Sequence, residues 1–325
     1  MSETVPRIAA VGVGYWGRNI ARNFAELGAL DAICDANEET ARAVCAETGA
    51  SRRELGEVLD DPAIDGIAIA TSAPSHYAVA KAALEAGKHV FVEKPLVLEQ
   101  AHADELIALA ESGGQVLMVG HLLRYHPIFR KMVEIVRSGE LGSLRYVQSD
   151  RQSLGKIRIE EDVLWSFAPH DISMVLALVG AEPVAVTAAG SAFVNPGISD
   201  IVTMHMEFEG QIAADIRVSW LHGQKLQKLV AICERGSIVF CDSEPEWADK
   251  LSVQRFEIDT SGPVPLPQRG ETRLVEVERD EPLKCECRHF LDCIAKGESP
   301  LTDGREGRAV LAVLQQASQA LENGR

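Results

Sequence analysis

Residues Val11-Gly12-Val13-Gly14-Tyr15-Trp16-Gly17 constrain the fold more than any other stretch of this chain. They follow a short apolar run at 8–11 and open a helix-like segment at 18–27. A strand, a glycine turn and a helix in that order are what the GxGxxG fingerprint of dinucleotide binding requires. Gly12 permits the tight turn, Gly14 lets the backbone approach a pyrophosphate, and Gly17 lets helix and strand pack closely. The free N–H groups of the helix then point at the phosphates. A second apolar run, 29–34, ends at Asp35. An acid about 20 residues beyond the glycines accepts hydrogen bonds from the ribose hydroxyls of NAD, and it repels the 2′-phosphate of NADP. The bland alternative is a glycine-rich turn of no consequence.

The same alternation continues to about residue 123. Short apolar runs at 66–70, 89–92 and 116–119 are separated by helical stretches at 39–47, 75–86 and 100–112. Strands alternating with helices predict a parallel sheet covered on both faces. From about residue 144 the period changes to two. Val202, Met204, Met206 and Phe208 alternate with Thr203, His205 and Glu207. After Glu209-Gly210, Ile212, Ala214, Ile216, Val218 and Trp220 repeat the pattern, and 229–233 and 237–241 follow. This predicts hairpins and a mostly antiparallel open sheet, with one helix near 169–179 packed on it. The sheet's second face suits a subunit interface, hence a homo-oligomer. Residues 259–271, rich in Pro and Gly, read as a loop. A closing helix at 304–321 carries an Asp303/Glu306 capping pattern and an apolar stripe of Val310, Leu314, Ala317 and Leu321. The expected division is a Rossmann domain at 1–123, a second domain at 124–303 and a C-terminal helix at 304–325. The fold class is α/β followed by α+β.

The formal net charge of −16 argues against nucleic acid or an anionic membrane as partner. No run approaches the about 18 apolar residues of a membrane span, and Met1-Ser2-Glu3-Thr4 lacks the features of a secretory leader. A cytoplasmic protein is expected. Seven scattered cysteines fit reduced thiols. Cys285, Cys287, His289 and Cys293 have the wrong spacing for a zinc knuckle and read as one helix, so no metal is expected.

In open α/β sheets, ligands bind beyond the carboxyl ends of the strands. Thr71, Ser72 and Pro74 follow the third run, where the hydroxyls either touch a cofactor or cap the next helix. His76 falls on the first turn of that helix, near the cofactor or simply solvated. Glu93-Lys94-Pro95 follows the fourth run. A lysine there lies beside a nicotinamide, whose positive charge lowers the amine's proton affinity and suits it to proton transfer. The alternative is a surface lysine before a proline turn.

The glycine motif, Glu93-Lys94-Pro95 and the change from α/β to an open antiparallel sheet together resemble the Gfo/Idh/MocA oxidoreductase family over essentially the whole chain. The resemblance implies that Lys94 lies near the nicotinamide and the reacting hydroxyl. The family's Asp-x-x-x-His motif aligns with Ser166-Phe167-Ala168-Pro169-His170. His170 matches as base or acid, and Ser166 replaces the usual acid. Three further segments, 120–127, 154–158 and 164–171, resemble the subgroup that oxidises C3 of UDP-N-acetylhexosamines. Arg124, Arg151, Lys156 and Arg158 then suit a diphosphate. His121 and Tyr125 suit the sugar, and Trp165 suits a sugar, a base, the cofactor or plain core. Tyr15 and Trp16 of the glycine loop and Glu93 complete the expected cofactor set. The resemblance implies NAD-dependent oxidation of a UDP-sugar, for 2,3-diamino sugars of lipopolysaccharide or another surface glycan. The rivals are the C6-acid sugar nucleotide, a free sugar or polyol, and a non-enzymatic NAD-sensing regulator.

Overall fold

The computed structural model describes residues 5–323. Met1–Thr4, on which the leader expectation rests, lie outside the described residues. The chain forms two units. One holds the residues up to Tyr125 together with Asp280–Leu311, and the other holds His126–Arg279 and the chain from Ala312.

The first unit begins β1 (Ile8–Val11), α1 (Gly17–Glu26), β2 (Leu30–Cys34), α2 (Glu38–Thr48), β3 (Ser51–Arg52) and α3 (Leu55–Leu59). It continues β4 (Gly66–Ile69), α4 (Ala73–Glu85), β5 (His89–Glu93), α5 (Gln100–Gly113) and β6 (Leu117–Gly120). The six strands are parallel in the order β3-β2-β1-β4-β5-β6. Every residue of β1, β4 and β6 is buried, as expected of strands covered on both faces. The short β3 and α3 were not legible as periodic runs.

The second unit contains α6 (Pro127–Ser138), β7 (Leu144–Leu154), α7 (Val163–Val179), β8 (Ala185–Ser191), β9 (Ile201–Phe208), β10 (Ile212–Ser219) and β11 (Leu221–Cys233). Then come β12 (Gly236–Cys241), β13 (Leu251–Asp259) and β14 (Leu266–Leu274). These eight strands form one sheet in the order β14-β13-β12-β11-β7-β10-β9-β8. The pairing is antiparallel except between β7 and β10. In β9 the side chains alternate as the sequence predicts: Val202, Met204, Met206 and Phe208 are buried, and Thr203 and Glu207 are exposed.

Three expectations change. Of the stretch 259–271 expected as loop, residues 266–271 belong to β14, which pairs with β13 through backbone bonds while its side chains stay exposed. A strand solvated on both sides leaves no apolar alternation to read. The helix expected near 169–179 begins at Val163, with Asp162 accepting from the Trp165 amide and Pro169 inside. Proline there forgoes a single helical hydrogen bond, and burial of the rest of α7 outweighs it. Finally, 280–303 belongs with the first unit. Its helix α8 (Pro282–Lys296) packs Phe290 edge-on against Phe24 and Phe91, at centroid distances of 6.2 and 5.9 Å. Thr302 then lies beside β6: its carbonyl accepts from the Val119 amide at 2.7 Å, and its side-chain hydroxyl donates to the Val119 carbonyl at 2.7 Å. The chain ends in α9 (Gly304–Asn323), where Asp303 accepts from the Glu306 amide at 2.8 Å as its capping pattern predicts.

Candidate functional site

In the first unit the strand order reverses between β1 and β4, so the crevice for a ligand opens at the loops that follow them. Gly12 has φ +81°, and a Cβ on it would meet Thr71 and Ala70 within 2.9 Å. A Cβ on Gly17 would lie 2.0 Å from the Gly12 carbonyl oxygen. The loop is therefore drawn tight against the neighbouring strand and its own helix. Around Gly14 the opposite holds, with no protein atom within 4 Å of a built Cβ. The first turn of α1 carries no side-chain cap and no acidic residue, so its dipole is left for an anion. These features fit a pyrophosphate lying over Gly14.

Asp35 stands just beyond β2. Its Oδ2 accepts from the Val13 amide at 2.7 Å and its Oδ1 from the Asn37 amide at 2.8 Å. The acid thus braces the glycine loop and keeps lone pairs for ribose hydroxyls. Glu38 and Glu39 in the first turn of α2 add negative charge there, which disfavours a 2′-phosphate. Thr71 accepts from the Ser75 hydroxyl at 2.7 Å. Ser72 occupies the N-cap of α4 without a side-chain capping bond, and Pro74 follows in the first turn.

The turn Glu93-Lys94-Pro95, with a cis Lys94–Pro95 bond, closes β5. It is tied down twice. Glu93 is buried and accepts from the Trp16 indole at 2.5 Å and from the Lys94 amide at 3.2 Å. Burial raises the Glu93 carboxyl above its ordinary proton affinity. His76 is buried too, with Nδ1 2.8 Å from the Pro95 carbonyl and Nε2 3.1 Å from that of Thr71. Desolvation pushes its pKa down, so the neutral ring donates its one N–H to one of these carbonyls. His76 is neither solvated nor free to reach a ligand. It braces two loops. Tyr15 is almost fully exposed beside them.

The residues after β6, expected at the sugar (His121, Tyr125) and the diphosphate (Arg124), have partners within the protein. Tyr125 is buried in the core, its hydroxyl 2.8 Å from Thr302 Oγ1. His121 is buried with Nδ1 2.5 Å from Glu306, and Arg124 donates to the same carboxylate at 3.1 Å. Sequence reasoning missed Glu306 as a partner because its capping role already accounted for it.

In the second unit, α7 lies on β7, β9 and β10 and carries Trp165, Ser166 and His170. Trp165 donates its indole N–H to Ser318 at 2.9 Å, and Ser166 is buried. Asp171, next to His170, is 1% exposed. It accepts from Ser149 Oγ at 2.6 Å, Arg151 Nε at 2.6 Å and Arg151 Nη2 at 3.2 Å. With its amide suitably oriented, Gln227 accepts from Arg151 Nη1 at 3.2 Å. Arg151 thus has its guanidinium paired with a carboxylate of the protein itself. Its spacing in sequence gave no sign of this, since Asp171 approaches only across the helix–sheet contact. Arg158 pairs with Glu161 at 3.2 Å and stays partly exposed, and Lys156 is exposed. No helix among the described residues is long and apolar enough to cross a membrane.

Comparison with known proteins gives two family matches. Residues 6–121 match an oxidoreductase family with an NAD-binding Rossmann fold, and residues 129–239 match the GFO/IDH/MocA C-terminal domain. UDP-N-acetylglucosamine 3-dehydrogenase of Acidithiobacillus ferrooxidans is 31% identical over 97% of both chains. Its solved structure superposes with a TM-score of 0.85 at 29% identity, covering 98% of this chain and 97% of that one. Myo-inositol 2-dehydrogenase of Thermotoga maritima is 27% identical over 98% of this chain and 97% of its own.

Proposed function

The chain belongs to the Gfo/Idh/MocA oxidoreductase family, and from that premise we propose that it oxidises the C3 hydroxyl of UDP-N-acetylglucosamine to the 3-keto sugar nucleotide. The observation that carries the substrate is the end-to-end similarity, in sequence and in fold, to the dehydrogenase of Acidithiobacillus ferrooxidans. When bound, NAD supplies the hydride acceptor. Gly12, Gly14, Gly17 and Asp35 hold it, and Thr71, Ser72 and Pro74 border the same crevice. Lys94 and His170 are the candidates to take the proton of the reacting hydroxyl, and Ser166 and Trp165 stand with His170 on α7. Lys156, exposed, and Arg158, partly exposed and paired with Glu161, are the more accessible candidates for a diphosphate. Retention of Lys94 and His170 favours an enzyme over an NAD sensor. The product is a ketone suited to transamination, as 2,3-diamino sugar synthesis for a surface glycan requires. A cytoplasmic homo-oligomer joined through the open sheet belongs to the same proposal.

One observation favours a second reading. Arg124 and Arg151 are bound to Glu306 and Asp171, which leaves fewer cations for a diphosphate and suits a free polyol. The test follows NADH absorbance with NAD and UDP-N-acetylglucosamine, its C6 acid, or myo-inositol, with a ketone trap present. Signal with the neutral sugar nucleotide supports the first reading. Signal only with the C6 acid moves the substrate to the uronate, and signal only with myo-inositol replaces the first reading by the second.

A further inference from the structure

The Trp16 indole and the Glu93 carboxyl join two loops that lie far apart in the chain. Trp16 stands at the N-cap of α1, between Gly14 and Gly17. The next residue, Gly17, is packed so closely that a Cβ there would lie 2.0 Å from the Gly12 oxygen. The glycine loop therefore gives the indole a fixed base. Its ring is left 38% exposed, yet its Nε1–H donates at 2.5 Å to Glu93, which is 8% exposed. An indole kept for core packing would bury its ring. Here the polar end is the part that reaches into buried structure.

Glu93 is held from its other side as well. It ends β5 opposite Gly120 of β6, and a Cβ on Gly120 would come within 3.0 Å of the Glu93 Cδ and Oε1. A side chain at 120 would push the carboxyl away from Trp16, so glycine there keeps room for the bond. The second carboxyl oxygen accepts from the Lys94 amide at 3.2 Å. One carboxyl thus receives Trp16 and holds the first peptide of the Lys94 turn. His76 also bridges toward this turn, but a neutral ring has one N–H, and the carbonyls of Thr71 and Pro95 compete for it. Trp16 and Glu93 tie the pyrophosphate loop directly to the turn.

We propose that Trp16 is a positioning residue: acting through Glu93, it makes the seating of the Lys94 turn depend on occupancy of the glycine loop. When that loop is restrained by a pyrophosphate over Gly14, the indole passes the restraint to Glu93 and to the Lys94 peptide. The Lys94 amine is thereby set in place before a sugar hydroxyl arrives. Catalytic use of the link rests on the reading of Lys94 given above, whereas the link itself requires only a bound dinucleotide. Misplacing a reacting group by about 1 Å costs on the order of a hundredfold in rate, which is what such a link would protect.

Hydrogen exchange of the full chain, read by mass spectrometry, tests this with ADP-ribose as the probe. ADP-ribose carries the pyrophosphate and lacks the nicotinamide, so slowing at the turn 93–97 has to come through the protein. In the wild type it is expected to slow exchange in both the glycine loop and the turn. Trp16→Phe keeps an aromatic ring and removes the N–H. In this variant slowing is expected to persist in the glycine loop and to vanish at the turn. A merely structural Trp16 would loosen the turn with and without probe and leave the slowing intact. Slowing at the turn that survives in Trp16→Phe overturns the proposal, as does its absence in a wild type whose glycine loop is protected. Glu93→Met cuts the same bond from the other end, and intact slowing there overturns the proposal equally. Neither readout involves a sugar, so failure of the link and failure of the sugar-nucleotide reading are distinct results. With turnover established, kcat of Trp16→Phe is expected to fall about ten- to a hundredfold with little change in KM for NAD. The double variant with Glu93→Met is expected to be no slower than Glu93→Met alone, and losses that add overturn the link.

Discussion

Replacing Arg151 by Met tests whether this cation serves the fold or a ligand. In the wild type the Asp171 carboxylate is 1% exposed and receives two bonds from Arg151 and one from Ser149. Arg151→Met leaves a buried charge with a hydroxyl alone. Breaking a buried pair on one side costs about 3–5 kcal/mol, against a total stability of about 5–15 kcal/mol for a typical domain. The double variant Arg151→Met, Asp171→Leu removes the stranded charge as well. It leaves the Ser149 hydroxyl short of a partner, at a cost of about 1–3 kcal/mol. The double variant is therefore expected to be more stable than Arg151→Met alone. Urea unfolding followed by tryptophan fluorescence reads both, because Trp165 and the buried Trp220 lie in the same unit. Calorimetry with UDP reads the rival role. If Arg151→Met unfolds within about 0.5 kcal/mol of wild type, as an ordinary surface change would, and weakens UDP, the clamp is refuted and Arg151 is a ligand residue.

His126 caps α6 by accepting from the Ile128 amide at 3.2 Å, and burial lowers its pKa from 6.5 to about 4. The unfolded chain binds the extra proton between these values, so the stabilisation is complete above the unfolded value and is lost as pH falls towards 4. Urea unfolding across that window should show the fall, and His126→Asn, which keeps a cap without titrating, should flatten it. Gly14→Ala should leave the thermal midpoint unchanged and weaken NAD, because nothing in the protein meets its Cβ. Gly17→Ala should lower the midpoint, since its Cβ would lie 2.0 Å from the Gly12 oxygen, and melts with and without NAD separate the two. Asp35→Ser should raise the use of NADP relative to NAD in initial-rate assays by removing the charge at the ribose.

Much of this protein was determined by its sequence alone. The glycine loop, Asp35 and the alternating runs specify a parallel nucleotide-binding sheet, because a tight loop, a helix N-terminus and a ribose acid are local in sequence. The β9–β10 hairpin is equally legible, because one buried and one solvated face impose a period of two. Tertiary structure decided the partners. Arg124, Arg151, His121 and Tyr125 resemble ligand residues in isolation, and only the packed chain brings Glu306, Asp171 and Thr302 to them. Membership of α8 in the first unit rests on Phe24, Phe91 and Phe290 meeting from distant parts of the chain. Glu286 of α8 is fully buried for the same reason. A carboxylate reads as solvated surface until the elements around it close, and its proton affinity depends on that enclosure rather than on its neighbours in sequence.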